Sequence, residues 1–292
     1  MATLKDIQRK ISAVKKTEQI TRAMNMVAAA RLRTAQIRIV NFRPYAAKFA
    51  ELMANLAAGI EPEVHPYLIQ PEEVKKVELA AFSSDRGLCG SFNTNIIAGI
   101  ERVLQERQSE GIEVSLTLVG RKINDYFRRR SVHIRASHPE VMNSYDYSTA
   151  LQIARDVSDN FLLGEVDEVW IYYTRFINMT QQVLTLVKLL PVSPAEEEEA
   201  GAAAEVGEYL CEPSAEAILV DLLPRSFIIQ FYNAMLETSA SEHAARMMAM
   251  DNATNNCKEI IEDLTMVYNK ARQAEITAEL MDIIGGAEAL KG

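Results

Sequence analysis

Two long segments, one at each end of the chain, carry apolar residues at alternating spacings of three and four. This average repeat of about 3.5 residues is typical of a coiled coil and predicts two long helices that pack on each other. The amino-terminal stripe comprises Ile7, Ile11, Val14, Glu18, Thr21, Asn25, Ala28, Leu32, Ala35, Ile39, Phe42, Ala46, Phe49, Met53 and Leu56. The carboxyl-terminal stripe comprises Leu222, Ser226, Ile229, Asn233, Leu236, Ala240, His243, Met247, Met250, Thr254, Cys257, Ile261, Leu264, Tyr268 and Ala271. Helices of about fifty to seventy residues would span roughly 75–100 Å, so the chain is suited to transmitting force or position.

Glycine and proline set the expected limits of the first helix. It should run from about Thr3 to about Ala58, because Gly59 follows directly and favours an end there. Pro44 lies inside the apolar pattern. Because proline removes a helical hydrogen bond and crowds the preceding turn, it predicts a kink near residues 41–43.

The second helix should cover about residues 215–284, and the pair Gly285-Gly286 should close it. Pro224 falls in its early part, so we expect either a kink or a start delayed to about Leu222. Since the two helices flank a compact unit, an antiparallel pair with that unit beside one end is the simplest arrangement.

Between the two helices, short apolar strands alternate with helices. The predicted strands cover residues 77–82, 114–119, 132–136, 168–176 and 182–190, and the predicted helices cover 93–108, 122–130 and 147–163. Such alternation predicts a largely parallel sheet that is covered on both faces. The last two strands are joined only by residues 177–181, a link that suits a hairpin and predicts an antiparallel edge.

The predicted fold class is therefore α/β. It combines a long antiparallel coiled coil of the two terminal helices with a central Rossmann-like α/β domain that contains a mainly parallel five-stranded sheet. The predicted domains are the amino-terminal helix 1–58, the central α/β domain 74–192, an acidic linker and foot segment 193–214, and the carboxyl-terminal helix 215–286.

Charge is strongly segregated along the chain, although the net charge is only −9. Residues 1–48 contain eleven Lys or Arg against Asp6 and Glu18, and residues 195–216 contain eight Glu and no basic residue. We therefore expect the amino-terminal helix to favour an acidic partner, with simple solvation of both faces as the alternative.

Several classes of protein are disfavoured by what the sequence lacks. The first residues do not show the basic region and apolar block of a signal peptide. The chain also has no apolar run approaching the about eighteen residues of a membrane span, so any link to a membrane should be indirect. The three cysteines, Cys89, Cys211 and Cys257, are far apart and suit a reducing compartment rather than a disulfide scaffold or a zinc site.

The segment from Ser83 to Gly90 follows a predicted strand and precedes a helix, where a phosphate-binding loop would lie. It lacks both the GxxxxGK[ST] and the GxGxxG patterns, so a tight turn is the preferred interpretation and no cofactor or metal is predicted. No histidine is close to Cys89 in sequence, which disfavours a catalytic thiol, although a pairing in space stays open. His243 and Cys257 lie on the stripe and are interpreted as packed side chains.

Polar residues also occupy stripe positions, where they weaken a helix pair while fixing its register. They are Glu18, Thr21 and Asn25 in the first helix and Ser226 and Asn233 in the second. Two interpretations remain open: ordinary control of register, or a pair kept adaptable for contacts on its outside.

Near the end of the second helix, Arg272 and Gln273 lie beside stripe positions occupied by the small residues Ala271 and Ala278. Arginine is well suited to paired hydrogen bonds with carboxylates. We therefore expect a slender helix tip that hydrogen-bonds to a surrounding partner, with Arg246 in a similar role one segment earlier.

Three blocks of sequence resemble the γ subunits of rotary F-type ATP synthases. The first is Ile20 to Ala28, the second Ser84 to Gly90, and the third Ala244 to Met247 together with residues 267–290. They occur in the family's order, and the resemblance extends over essentially the whole chain. Three ordered motifs are a specific signal, whereas the second block alone would only be suggestive.

This resemblance implies a rotor subunit without catalytic residues of its own. In the family, the helix pair threads a ring of three α and three β subunits, and the α/β domain forms a foot with the ε subunit on the c-ring of Fo. Rotation driven by ion flow forces the β sites through successive states, and hydrolysis of ATP runs the sequence backward. The implied partners are therefore protein subunits, with no nucleic acid and with the membrane reached only through Fo.

The resemblance also assigns contact residues. Met24 matches the position where the family's amino-terminal helix passes an acidic loop of β. The residues implied to contact the α and β ring are Met24, Arg246, Arg272, Gln273, Thr277 and Glu279, and those implied at the foot are Tyr209 and Glu212. Residues 276–290 would turn in an apolar sleeve.

One departure from plant plastid relatives is informative. Those relatives carry an inserted regulatory dithiol before the carboxyl-terminal helix, where this chain has an acidic stretch and only Cys211. The resemblance thus implies a bacterial protein, peripheral on the cytoplasmic face of the inner membrane.

Two alternatives use different parts of the chain. A nucleic-acid-binding protein would use the basic amino-terminal helix, but the acidic balance and the lack of interleaved aromatic residues count against it. A nucleotide-dependent enzyme would use residues 70–192 as its active domain, with the helices as an oligomerisation arm.

Overall fold

The computed structural model describes residues 3–57, 64–192, 212 and 214–289. The chain divides into two compact units, one of residues 1–28 with 247–292 and the other of residues 29–246. Both terminal helices contribute a part to each unit, so each unit contains its own helix pair.

The first helix, α1, covers Leu4–Ala57, so it begins within one residue of its predicted start, and its predicted end at Ala58 lies outside the described residues. Thr3 and Asp6 cap its amino end reciprocally. The Asp6 N–H donates to Thr3 Oγ1 over 3.3 Å, and the Thr3 N–H donates to Asp6 Oδ2 over 3.2 Å. This satisfies backbone donors that the first turn would otherwise leave unpaired. α1 continues through Pro44, where the kink stays a prediction, and Gly59 lies outside the described residues.

The last helix, α5, covers Ala215–Ala289. Of the two outcomes expected at Pro224, the delayed start near Leu222 is wrong, and the kink stays a prediction. Ser214 caps the helix, since its Oγ accepts from the Ala217 N–H over 3.2 Å. Leu219 and Leu223 are buried, and their packing holds the first turns in place ahead of and around Pro224.

The predicted end of α5 at Gly285-Gly286 is also wrong, because the helix continues through both glycines. A Cβ atom at either position would meet no atom within 4 Å, so neither glycine is needed for a close approach. A glycine costs a helix only about 1 kcal/mol relative to alanine, which is too little to end a long helix by itself.

Five strands of the described residues form one sheet, and each predicted strand is found. They are β1 Lys76–Phe82, β2 Glu113–Val119, β3 His133–His138, β4 Glu168–Phe176 and β5 Gln182–Leu190. The strand order is β3-β2-β1-β4-β5. The first three neighbouring pairs are parallel and β4 pairs with β5 antiparallel, as predicted from the short link between them.

Three helices connect the parallel strands. They are α2 Phe92–Ser109, α3 Arg121–Phe127 and α4 Tyr147–Leu162. α3 ends before the predicted Arg130: the side chain of Phe127 is buried, whereas residues 128–130 are exposed and close a turn in which the Arg130 N–H donates to the Phe127 carbonyl. The sheet, α2 and α3 share a core, which contains Leu79, Ala81, Cys89, Phe92, Ile96, Ile100, Leu116, Leu118, Ile123, Phe127 and Tyr172.

A charged network is buried in this part of the chain. Glu78 is fully buried, and its carboxylate accepts from Thr117 Oγ1 over 2.6 Å and from Asn160 Nδ2 over 2.8 Å. Arg135 lies 2.7 Å from the same carboxylate and 2.8 Å from that of Asp156. The network is satisfied by neighbours from two strands and α4, so it stabilises only as a complete set.

Within residues 29–246, α1 and α5 run antiparallel and pack against the sheet. The rings of Phe42 and Tyr232 lie 5.0 Å apart, and those of Phe82 in β1 and Phe231 in α5 lie 5.6 Å apart. The end of β4 is fixed to α5, because the Phe176 N–H donates to Glu237 Oε2 over 2.8 Å.

The unit of residues 1–28 and 247–292 is a second antiparallel stretch of helix pair. The hydroxyls of Thr21 and Thr254 lie 2.8 Å apart, and Asn25 Nδ2 donates to the Met247 carbonyl over 2.9 Å. Thr21 and Asn25 therefore make specific cross-helix bonds, which supports their predicted role in fixing register.

Candidate partner-contact sites

The carboxyl-terminal tip of α5, residues 272–287, is exposed at every position. It includes large apolar side chains that are unusually accessible for a folded chain: Ile276 at 48%, Leu280 at 53%, Met281 at 65%, Ile283 at 68% and Ile284 at 55%. The last stripe residue with partial burial is Ala271. Apolar surface of this extent typically marks an interface with another molecule.

Four of the residues predicted to contact the ring lie on this tip: Arg272, Gln273, Thr277 and Glu279. The Thr277 hydroxyl donates to the Gln273 carbonyl over 2.8 Å, so its hydrogen is used in a bond within α5. Gln273, Thr277, Leu280 and Ile284 are spaced by four, three and four residues and share one face, which therefore offers both hydrogen-bonding and apolar groups.

Met24 lies on α1, in the unit of residues 1–28 and 247–292. It is half-buried, and its neighbours at helical spacing, Ile20 and Val27, are 59% and 56% exposed. These three side chains follow an i, i+4, i+7 pattern and form a short apolar strip on α1. The strip is compatible with a contact at Met24, which stays a prediction.

Arg246 does not project from α5 as the sequence suggested. Arg246 is only 8% exposed, and its guanidinium faces the loop between β1 and α2. Nε and Nη2 donate to the Gly87 carbonyl over 3.3 and 3.1 Å, and Nη2 also donates to the Arg86 carbonyl over 3.2 Å. Its predicted contact with a ring subunit stays a prediction, but most of its donors are already used within the chain.

Two residues of the preceding turn complete this cluster. Glu242 Oε1 lies 2.7 Å from Arg246 Nη2, and His243 Nδ1 lies 3.3 Å from Arg246 Nη1. An arginine can only donate, so Nδ1 of His243 must accept, which means that it carries no proton and that the ring is neutral. Burial, with the charges of Arg246 and Arg31, lowers the pKa of His243 to about 4. Burial likewise raises the pKa of the Glu242 carboxyl, against the opposing effect of Arg246.

Cys89 lies in the same loop but is not arranged as a nucleophile. It is 2% exposed, and burial raises the pKa of its thiol above the ordinary value. Asn93 Nδ2 donates to its sulfur over 3.1 Å. A protonated, enclosed thiol is unreactive, so the interpretation of this segment as a structural turn is the better one.

The apex of the loop between β1 and α2, formed by Arg86, Gly87 and Leu88, has a feature that the sequence did not show. Leu88 has a φ of +61° and is 63% exposed, so a large apolar side chain is held outward in a left-handed conformation. That conformation costs a non-glycine residue roughly 1–2 kcal/mol, and surrounding contacts must offset it. Sequence reasoning missed Leu88, Glu242 and the role of the Arg86 and Gly87 carbonyls, because main-chain acceptors leave no mark in a sequence.

The residues predicted for the foot are only partly described. Glu212 is exposed, and Tyr209 lies outside the described residues, as does the acidic linker 195–208. Their role and the predicted domain limits therefore stay predictions.

Comparisons with known proteins identify the family. The sequence profile described as ATP synthase matches residues 3–290. The ATP synthase gamma chain of Syntrophobacter fumaroxidans is 54% identical over the full length of both chains, and that of Syntrophus aciditrophicus is 48% identical over 99% of each. The chain belongs to the ATP synthase gamma chain family.

Solved structures agree with this fold. The central stalk of the Tetrahymena thermophila mitochondrial ATP synthase matches at a TM-score of 0.60 and 28% identity, over 80% of this chain and 99% of that one. A chain of the Euglena gracilis mitochondrial ATP synthase matches at 0.67 and 22%, over 98% and 94%, and supports the fold alone.

Membership in the gamma chain family makes this chain a non-catalytic rotor subunit of the central stalk and a peripheral part of its complex. The interpretations as a nucleic-acid-binding protein and as a nucleotide-dependent enzyme are therefore set aside. Among the described residues, no helix combines the length and apolarity needed to cross a bilayer.

Proposed function

We propose that the tip of α5 turns inside the α3β3 ring, and that uneven contacts around it drive the β sites through their states. The observation that carries this proposal is the complete exposure of residues 272–287, with large apolar side chains beside Arg272 and Gln273. A rotor can shift the state of a site only if it contacts that site differently in each orientation. A face of mixed chemistry on one side of a helix supplies such a difference.

The charge of α1 supports contact with acidic loops of β near Met24. Residues 1–48 contain eleven basic residues and only two acidic ones. Exposed pairs of opposite charge contribute about 0–1 kcal/mol each, so such contacts can form and break as the rotor turns.

Glu212, with Tyr209, is assigned to the foot, where the chain would contact the ε subunit and the c-ring of Fo. In the Tetrahymena structure a central stalk is present together with a c-ring, which supports this assembly for a related chain. In a bacterial cell the complex would lie on the cytoplasmic face of the inner membrane, with the membrane reached through Fo.

Single-molecule rotation tests the proposal directly. The chain is assembled with α and β subunits of the same organism, the ring is fixed to glass, and a bead is attached at Leu163→Cys in a Cys211→Ser background. Leu163 is 78% exposed, whereas Cys89 and Cys257 are buried, so labelling should be selective.

With Mg-ATP, we expect stepwise rotation in one direction. Removing residues 276–290 should abolish steady stepping while the remaining helix pair still folds. Failure of the full-length chain to enter the ring would contradict the proposal, as would undiminished torque from the shortened chain.

A further inference from the structure

We propose that Arg246 is a positioning residue, which acts by fixing the loop of residues 84–90 so that its apex forms a rigid contact surface. This inference rests on the proposed rotor function, because the apex matters only if a partner surrounds the stalk. It differs from the role suggested by sequence, in which Arg246 itself would reach the partner.

The direction of the Arg246 side chain is the first support. Its donors meet the main-chain carbonyls of Arg86 and Gly87, the carboxylate of Glu242 and the ring nitrogen of His243. The side chain is 10% exposed. A guanidinium that is enclosed and satisfied in this way has little left to offer a sliding partner.

The anchoring of the loop is the second support. Its two ends are held by Asn93, whose Oδ1 accepts from the Ser84 N–H over 3.3 Å and whose Nδ2 donates to Cys89. Between these ends, Ser84 Oγ also donates to the Arg86 carbonyl over 2.7 Å. The Gly87 carbonyl, in the apex, is bonded by Arg246.

Glu242 in turn holds Arg246. It is 5% exposed and lies one helical turn before Arg246, so the pair aims the guanidinium at the loop. Asp221 and Arg225 form the same i, i+4 pair over 2.8 Å on α5, but with side chains that are 68% and 60% exposed. The second pair is therefore a matched control that lacks any bond to the loop.

The apex has a defined chemistry. Leu88 is 63% exposed, and the Arg86 side chain is exposed beside it while its carbonyl is held by Arg246. An apolar group flanked by a cation fits an apolar depression with an acidic rim on the partner. Because Leu88 is held in the left-handed region, loss of the Arg246 bonds should release the apex to other conformations.

Hydrogen exchange of the full-length chain, followed by mass spectrometry, tests the positioning role without any partner. We expect Arg246→Ala to raise exchange in peptides covering residues 83–91 by about tenfold or more, with no change in residues 147–162 of α4. Arg225→Ala should change neither peptide. Arg246→Ala leaves Glu242 buried and unpaired, so the neutral pair Glu242→Gln/Arg246→Met keeps the test valid if the single variant fails to fold.

Turnover of the assembled complex separates positioning from direct contact. If Arg246 acts through the apex, Leu88→Ala and the neutral pair should each lower ATP turnover, and their combination should be no worse than the larger single effect. Arg246→Lys keeps the charge without the forked donors and should not restore turnover.

The positioning role would be overturned if exchange at residues 83–91 were unchanged in Arg246→Ala and in the neutral pair. It would also be overturned if exchange at residues 147–162 rose as much as exchange at residues 83–91 in both of these variants. Losses that multiply in the combined variant would mean that Arg246 contacts the ring itself and would also overturn it. A chain that fails to enter the ring counts against the proposed function instead, and the exchange experiment then decides the inference alone.

Discussion

Apolar side chains are buried in the central sheet and exposed on the carboxyl-terminal tip of α5. Leu79, Leu116 and Ile96 in the α/β core are at most 1% exposed, whereas Ile283 on the tip is 68% exposed and Met281 is 65% exposed. A folded chain gains most of its stability by removing such groups from water. The core is therefore complete within this chain, whereas we expect a partner to cover the tip.

The same contrast holds for arginine. Arg135 and Arg246 are enclosed and bonded to buried carboxylates, while Arg272 is exposed on the tip. Substitution of Arg135 should therefore lower the stability of the isolated chain. Substitution of Arg272 should instead lower the function of the assembly.

The largest expected change in stability comes from Arg135→Ala. It leaves the fully buried Glu78 carboxylate without its cation, and breaking such a buried pair costs about 3–5 kcal/mol. Urea unfolding of the isolated chain measures the change. Arg121→Ala removes only exposed pairs with Asp125 and Glu140 and should cost less than about 1 kcal/mol. Equal losses in the two variants would break the contrast between buried and exposed charge.

The next effect concerns pH. His243 has a folded pKa lowered to about 4, so the unfolded chain binds a proton first as pH falls. The stability associated with neutral His243 is present above about pH 6.5 and is lost progressively down to about pH 4, by about 3 kcal/mol.

His243→Gln keeps an acceptor for Arg246 but does not titrate, so its unfolding free energy should fall about 3 kcal/mol less than that of the unmodified chain over this range. Glu242, whose pKa is raised, contributes with the opposite sign in both proteins. His133→Gln, at an exposed residue, is the control. Identical pH profiles for the unmodified chain and His243→Gln would show that His243 is not held neutral by burial.

The smallest change in stability should come from the tip. Arg272→Ala/Gln273→Ala alters two exposed residues, so the unfolding free energy should stay within about 0.5 kcal/mol. ATP turnover of the assembled complex should fall about tenfold, the equivalent of about 1.4 kcal/mol for lost charge-assisted hydrogen bonds. Arg225→Ala should leave turnover unchanged. If turnover of the double variant is also unchanged, Arg272 and Gln273 are not partner contacts. The expectation that substitutions on the tip lower the function of the assembly would then be contradicted.

Local pattern was sufficient for much of the fold. The strands 168–176 and 182–190 and the hairpin between them are found as predicted, because short runs rich in β-branched, aromatic and other apolar residues and the short link between them constrain them locally. The pattern failed at Gly285-Gly286, because a glycine costs a helix only about 1 kcal/mol relative to alanine. The delayed start expected from Pro224 was also wrong, because the Ser214 cap and the buried Leu219 and Leu223 stabilise the turns before and around the proline.

The sequence by itself determined the two long helices, the succession of strands and helices between them, the segregation of charge and the family. Each of these depends on local periodicity, on composition or on ordered motifs. Only the tertiary structure decided that Arg246 turns inward while Arg272, on the same helix, stays exposed. The reason is that the acceptors for Arg246 are main-chain carbonyls about 160 residues earlier in the chain, and the fold alone brings them within 3.1–3.3 Å.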